Sequence, residues 1–240
     1  MESSPRTIEE LSLRAWPATH TETYDGWLLR FADGYTKRAN SVTPLDHGEV
    51  DIDVKVGRCE AEYRSLGLTP MFRIPSFVPD AVNLRLGLQQ RGYQPLDPTS
   101  VQSGPVPDPD PDPWVESMGD VAAWVDLHDT LEGTRSNPGA HLAILEAIEG
   151  TTAYLRIDEV ACGLAIVERG HVGIYDVAVA EEERRRGLGR RIVETALAFG
   201  AEHGAHTAYL SVMKSNAPAL ALYASFGFEE RYSYEYQAFS

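Results

Sequence analysis

The 240-residue sequence predicts an α/β (α+β) fold in two parts, each a mixed, mostly antiparallel sheet flanked by helices. Apolar residues recur at helical spacing in some segments and as β-branched runs in others, and the two kinds alternate along the chain. The run 102–113, QSGPVPDPDPDP, interrupts them. Its prolines hold the backbone near polyproline II and its aspartates repel one another, so it reads as a stiff spacer, and the pattern restarts beyond it. The expected division is a domain at 1–101, a linker at 102–113 and a complete domain at 114–240.

In the first part the spacing predicts a helix over 8–16, strands at 27–31 and 36–42, and a helix over 54–66. A strand at 71–75 and a helix over 81–90 follow. In the second part helical spacing covers 115–131 and 141–147, followed by strands at 153–157, 160–168 and 172–179. Leu188, Ile192, Val193, Ala196 and Leu197 then mark a helix that Gly204 stops. A strand over 208–213, a short helix and a closing strand end the chain. In that last strand Tyr232, Tyr234 and Tyr236 alternate with polar residues, which puts the three rings on one face, as core or as a dimer contact. The stretch 83–93 (NLRLGLQQRGY) echoes 216–228 (NAPALALYASFGF), each a short helix closed by glycine and an aromatic. A diverged tandem repeat explains the echo, and so does chance, because this way of ending a helix is common.

Composition narrows the function. Acidic residues number 36 against 21 basic, a net charge of -15, which disfavours a broad nucleic-acid footprint and raises the local concentration of cationic small molecules. No apolar run reaches the 18 or so residues of a membrane span, and the first 16 residues lack a secretory pattern, so the expectation is a cytoplasmic protein. Cys59 and Cys162 sit in no metal-ligand or redox spacing and read as reduced structural thiols.

The most specific segment is 174–191, IYDVAVAEEERRRGLGRR. A β-branched strand leads through an acidic turn into three arginines, Arg184, Arg185 and Arg186, and two glycines that open a helix. Glycines let a ligand approach the backbone, and a helix start offers unpaired N–H groups of partial positive charge, so this segment is a phosphate-binding candidate. It is no Walker A loop, because no Lys-Ser/Thr follows the glycines. Nor is it a dinucleotide fingerprint, because Ile192 stands where the third glycine belongs.

What remains is Arg-x-x-Gly-x-Gly, met by Arg184, Gly187 and Gly189, and here the sequence resembles the pyrophosphate loop of the GCN5-related N-acetyltransferases. The resemblance extends downstream, where Asn216, Ala219, Leu222, Tyr223, Gly227 and Phe228 stand in the order of that family's next signature. It covers roughly 153–239 and, more loosely, everything after Trp114. It implies acetyl-CoA as co-substrate, no metal, and transfer of the acetyl group to a primary amine of a small molecule or peptide by direct attack in a ternary complex.

The same resemblance distributes roles. The backbone of Val177, Ala178 and Val179 is expected to pair with the pantetheine amides as an added strand. Gly187, Leu188, Gly189 and Arg190 are expected to offer N–H groups to the pyrophosphate, with Arg184, Arg185 and Arg186 supplying charge. Asn216 either caps the next helix or also approaches the cofactor. The thiolate expelled from the thioester has a conjugate acid of pKa about 8.5, and Tyr223, a phenol of pKa about 10, is the expected donor near sulfur. Backbone N–H at the strand bend near Val177 is expected to meet the oxyanion.

For the general base the choice is Asp176, a lone carboxylate in the apolar run IYDVAV, with His171 in reserve; a strand-edge aspartate facing solvent is the competing reading. The segment 35–42, YTKRANSV, resembles N-terminal halves of tandem acetyltransferases, which makes the first half a degenerate copy without a pyrophosphate loop. A non-catalytic acyl-CoA sensor or interaction module is the alternative function. The expected state is a monomer or homodimer, without nucleic acid or membrane as partner.

Overall fold

The computed structural model describes residues 3–107, 112–133 and 137–239. The chain forms α1 (Pro5–Ala15), β1 (His20–Tyr24), β2 (Trp27–Phe31), β3 (Val42–Pro44), α2 (Ile52–Ser65), β4 (Met71–Pro75), α3 (Ala81–Gln90) and β5 (Gln94–Pro105). Next come β6 (Glu116–Met118), α4 (Val121–Glu132), α5 (Pro138–Glu146), β7 (Thr151–Ile157), β8 (Ala161–Glu168) and β9 (His171–Val179). The last elements are α6 (Leu188–Glu202), β10 (Thr207–Met213), α7 (Ala217–Ala224) and β11 (Glu229–Ala238). No helix among the described residues is long and apolar enough to cross a membrane.

Two compact units result, and they are not the consecutive segments the proline run suggested. One unit holds residues 1–17, 102–211 and 217–230; the other holds 18–101, 212–216 and 231–240. The first helix thus belongs with the C-terminal half, and most of the last strand with the N-terminal half. The expected linker also starts too early, because 102–105 are the end of β5. The continuous buried stretch from Thr99 to Ser103 outweighs the turn signal of Gly104 and Pro105. Positions 108–111 of the expected linker lie outside the described residues.

In the second unit β2 pairs antiparallel with β1 and β3, β3 pairs parallel with β4, and β4 pairs antiparallel with β11. Its core gathers Trp27, Phe31, Val56, Tyr63, Phe72 and Tyr93 under α2 and α3. The strand expected over 36–42 is mostly an ordered loop, because Asn40 organises the backbone with both ends of its amide. Its Oδ1 accepts from Ala32 N at 2.8 Å and Gly34 N at 3.0 Å, and its Nδ2 donates to Tyr35 O at 2.6 Å. Local side-chain bonds of this kind outbid a ladder. The strand β1 was missed, for HTETY has no apolar face to read. Tyr232, Tyr234 and Tyr236 are all buried, as core.

In the first unit β6, β7, β8 and β9 form an antiparallel run, and β9 continues into a parallel pairing with β10. Helical spacing had been read from 115, yet 116–118 is the short β6, and α4 starts after Asp120, whose carboxylate caps Ala123 N at 3.0 Å. The helix α6 buries Ile192, Val193, Ala196 and Leu197, the stripe its spacing predicts. It approaches β8 closely because Gly163 stands beneath it: a Cβ there would lie 2.4 Å from Ile192 Cγ2.

Candidate active site

The site grows from an irregularity in β9. Opposite β8 the pairing runs Cys162 to Ala178 and then Leu164 to Tyr175, so β9 spends one residue more than its partner over this step. That bulge places Asp176 at φ 49°, a left-handed conformation that aspartate tolerates better than most residues. On its other side the parallel ladder with β10 ends at Leu210–Ile174, while β9 goes on to Val179. The segment expected to pair with a ligand amide chain, Val177, Ala178 and Val179, therefore follows both the bulge and the end of the ladder. Val177 and Val179 are half-buried and Ala178 is buried.

Past Val179 the chain makes a single 3-10 turn, Glu181–Glu183, whose side chains begin the acidic stretch. Arg184 is extended and its Nε donates to Val179 O at 3.3 Å; Arg185 takes φ 65°. Arg186 pairs with Glu183. Gly187, at φ 84°, is the N-cap of α6, and no side chain caps this helix start. Its carbonyl accepts the first helical bond, from Arg191 N at 3.1 Å, so the N–H groups of Leu188, Gly189 and Arg190 precede any intrahelical acceptor. A Cβ on Gly189 would meet Val179 Cγ2 at 3.7 Å and Leu222 Cδ2 at 3.8 Å, which leaves space for a ligand where a longer side chain would stand.

The arginines divide by partner. Among the described residues Arg184 and Arg185 form no ion pair, so their charge is available to an anion. Arg190 instead donates to Ser225 Oγ at 2.7 Å, lies 4.8 Å from the Phe226 ring centre and stays 3.7 Å from Glu194. Arg191 holds Asp112 at 2.6 Å, and this guanidinium is the main reason the Asp112 carboxyl sits below its ordinary range. The Arg190–Ser225 bond and the Gly189–Leu222 approach seat α7 against the start of α6.

Tyr223 lies on α7 between the residues that make those two contacts, Leu222 and Ser225. Tyr223 is 8% exposed, packs against Phe228 at 6.0 Å between ring centres, and its hydroxyl bonds to no described residue. Burial pushes the phenol up to about 12, so it is neutral and a donor throughout the physiological range. Asn216 stands immediately before α7, exposed, and belongs to the other unit.

Asp176 keeps one carboxylate oxygen, Oδ2, buried without a hydrogen-bond partner, while its backbone carbonyl accepts from Cys162 Sγ at 3.8 Å. Burial pushes the Cys162 thiol up to about 12, in keeping with an inert packing residue. The reserve base, His171, is committed elsewhere: its Nδ1 donates to Arg169 O at 2.8 Å and its Nε2 accepts from Ser3 Oγ at 2.5 Å. It also opens β9, on the far side of the bulge from the loop.

Sequence reasoning missed a cluster on α4 and α5. Potential ligand atoms of His128, Asp129 and His141 lie within 4.8 Å of one another. Only the 128–129 pair adjoins in sequence, and no spacing rule connects it to a histidine twelve residues on across a loop. The signal available was polar residues within the stripes WVDLHD and HLAIL, which is ordinary for half-buried helices.

Comparison with known proteins identifies the family. The family model described as "Probable histone acetyltransferase Rv0428c C-terminal" matches residues 2–237. The uncharacterized N-acetyltransferase YobR of Bacillus subtilis is 29% identical over 248 residues, covering 97% of each chain. The probable histone acetyltransferase Rv0428c of Mycobacterium tuberculosis is 28% identical over 226 residues, 90% of this chain and 68% of that one. In fold, the chain is like a GCN5-related N-acetyltransferase from Kribbella flavida, with a TM-score of 0.70 at 13% identity, over 99% of this chain and 96% of that one. A tandem GNAT protein from the clavulanic acid biosynthesis pathway gives a TM-score of 0.60 at 13% identity, over 98% and 88%. With the family model spanning nearly every residue, the chain belongs to this family of GCN5-related N-acetyltransferases and is an acetyltransferase.

Proposed function

We propose that the chain transfers the acetyl group of acetyl-CoA to a primary amine of a small molecule or peptide, by direct attack within a ternary complex. The observation that carries this reading is the start of α6, an uncapped helix end with Gly189 and the unpaired charges of Arg184 and Arg185, against which α7, the helix bearing the unbonded, neutral phenol of Tyr223, packs through Leu222 and Ser225. Oriented N–H groups, partial positive charge and mobile guanidinium suit a pyrophosphate. Acetyl-CoA supplies an activated thioester.

Leu188, Gly189 and Arg190 hold the diphosphate through backbone N–H, with Arg184 and Arg185 beside them and Arg186 tied to Glu183. Val177, Ala178 and Val179 line up the pantetheine amides by backbone pairing, and the bulge turns N–H groups near Val177 toward the thioester carbonyl. Tyr223 donates a hydrogen bond to the departing sulfur. With the phenol near 12 and a thiol near 8.5, full proton transfer to a free thiolate is uphill, so the role is stabilisation by hydrogen bonding. Asp176 takes the proton of the incoming ammonium. Residues 18–101 of the second unit act as a degenerate, structural copy; α3 and α7 both end in a positive-φ glycine, Gly92 and Gly227, followed by a buried aromatic, Tyr93 and Phe228.

Calorimetric titration with acetyl-CoA and CoA, followed by thiol release in the presence of amines, tests the proposal. Saturable binding with amine-dependent turnover is expected. Binding without turnover across amines and peptides would leave the acyl-CoA sensor, and no binding at millimolar ligand would overturn the reading.

A further inference from the structure

The end of α4 and the start of α5 come together around three polar side chains. His128 and Asp129 stand near the end of α4, whose C-cap, Gly133, is left-handed and donates its N–H to Asp129 O. His141 stands in the first turn of α5, where Asn137 accepts from Ala140 N at 3.1 Å and so caps the helix. A donor atom from each of His128, Asp129 and His141 lies within 4.8 Å of the other two. Asp129 is 5% exposed and His141 1%, while the His128 side chain, at 13%, reaches solvent.

The spacing of the donors is the first observation. Asp129 Oδ1 is 3.3 Å from His141 Nδ1 and 3.4 Å from His128 Nδ1. Hydrogen bonds from N–H to oxygen cluster near about 2.9 Å. A cation held by imidazole nitrogen and carboxylate oxygen at about 2.0–2.1 Å sets neighbouring ligands of its tetrahedron about 3.3–3.4 Å apart. Both contacts match the edge of such a tetrahedron better than they match a hydrogen bond. Charge is the second observation. Among the described residues Asp129 has these two histidines as its ion-pair partners and no Lys or Arg. A buried carboxylate calls for a cation, and two imidazoles in their neutral, ligating form do not supply one.

The surrounding walls hold the donors in place. Trp124 is fully buried, and its Nε1 donates to Leu155 O at 3.0 Å. Its ring stacks on His128 at 5.5 Å and lies edge-on to His141 at 6.3 Å, and Trp16 flanks His141 at 5.6 Å. The two imidazoles are 5.2 Å apart and nearly perpendicular, so a turn of the His128 ring, the one with access to solvent, brings the third edge to the length of the other two. Fixed ring orientation is what the outer groups of a metal site provide.

We propose that His128, Asp129 and His141 bind a first-row divalent cation, zinc foremost, which ties α4 to α5 and leaves its fourth corner to water on the His128 side. Two imidazoles and one carboxylate suit such a cation. Calcium and magnesium take oxygen ligands, and copper(I) and iron–sulfur sites take sulfur, which no residue of the cluster offers. Because both helices contribute ligands, the cation stabilises the folded chain over the unfolded one. The inference is independent of the acetyl-transfer reading and uses none of the residues assigned to it.

The test uses the full chain without a polyhistidine tag, stripped with a chelator and titrated with zinc chloride by calorimetry. One equivalent per chain is expected, with a micromolar or tighter dissociation constant and a higher melting temperature in zinc. Cobalt(II) in its place should show the visible absorption of a tetrahedral rather than an octahedral ion. His128→Gln and Asp129→Asn are each expected to weaken zinc binding at least about 100-fold, the upper end of what a lost outer partner costs, and to abolish the rise in melting temperature. In the wild type, nitrogen NMR of labelled histidine should show zinc moving two of the seven imidazoles. The absence of a stoichiometric site in the wild type overturns the proposal. So does unchanged affinity in both variants, which would assign the zinc to surface carboxylates. Should the variants not fold, wild-type spectra in which zinc leaves the His128 and His141 signals unmoved overturn it instead.

Discussion

At the scale of single residues, the groups proposed for the chemistry and a buried structural charge differ in how their polar atoms are paired. Tyr223 and Asp176 each keep a polar atom out of hydrogen bonding, whereas Lys55, fully buried in the second unit, satisfies its ammonium on Asp25 O at 2.6 Å, His47 O at 2.8 Å and Asp25 Oδ2 at 2.9 Å. Tyr223→Phe is expected to cut kcat about 10–100-fold while acetyl-CoA affinity stays within about twofold, measured by thiol release and calorimetry; unchanged turnover would remove the phenol from the reaction. Lys55→Met leaves two carbonyls and a carboxylate without their cation, and a loss of about 3 kcal/mol in urea unfolding is expected. The Asp25 carboxyl is lowered from 3.8 to about 2, chiefly by the N–H of Glu49 and then by Lys55. Because its folded pKa lies below the unfolded one, its contribution is complete above pH about 4 and fades as pH falls toward 2. An acid titration of the far-UV signal should show Asp25→Asn losing that part of the dependence.

At the scale of elements, the proposed chemistry falls on the start of α6 and the bulge in β9, and their legibility differs. The helix start was readable because Arg184, Gly187 and Gly189 hold fixed local spacing, and what a helix N-terminus does depends on neighbours in sequence. The bulge was not readable. It exists only in the mismatch between Cys162–Leu164 and Tyr175–Ala178; Gly163 stands opposite it, but the extra residue is on β9, where neither glycine nor proline lies between Tyr175 and Ala178. Gly189→Arg should lower acetyl-CoA affinity at least 100-fold and leave the melting temperature nearly unchanged, since ordinary space surrounds that Cα. Gly163→Ala should do the reverse. Its Cβ would strike Ile192, so a loss of about 1–3 kcal/mol in stability is expected before any effect on binding.

At the scale of the molecule, the two units draw on both ends of the chain. A fragment of residues 114–240 lacks α1, whose Ile8, Leu11 and Trp16 are buried, and a fragment of residues 1–101 lacks β11, the antiparallel partner of β4. Neither fragment is expected to unfold cooperatively by calorimetry, whereas the full chain should; independent cooperative transitions would restore the consecutive division read from the proline run. The strand β5 shows why that reading went astray. Proline and glycine punctuate local structure, but the last residues of a strand whose preceding run is buried tolerate them.

By itself the sequence determined the α/β class, the stripe of α6 and the family, through the spacing of Arg184, Gly187, Gly189 and Tyr223, because these depend on periodicity and on local order along the chain. Only the tertiary structure decided which half α1 and β11 serve, that β9 bulges at Asp176, and that His141 meets Asp129. Each of those depends on register or on contacts between residues far apart along the chain, and no local pattern encodes them.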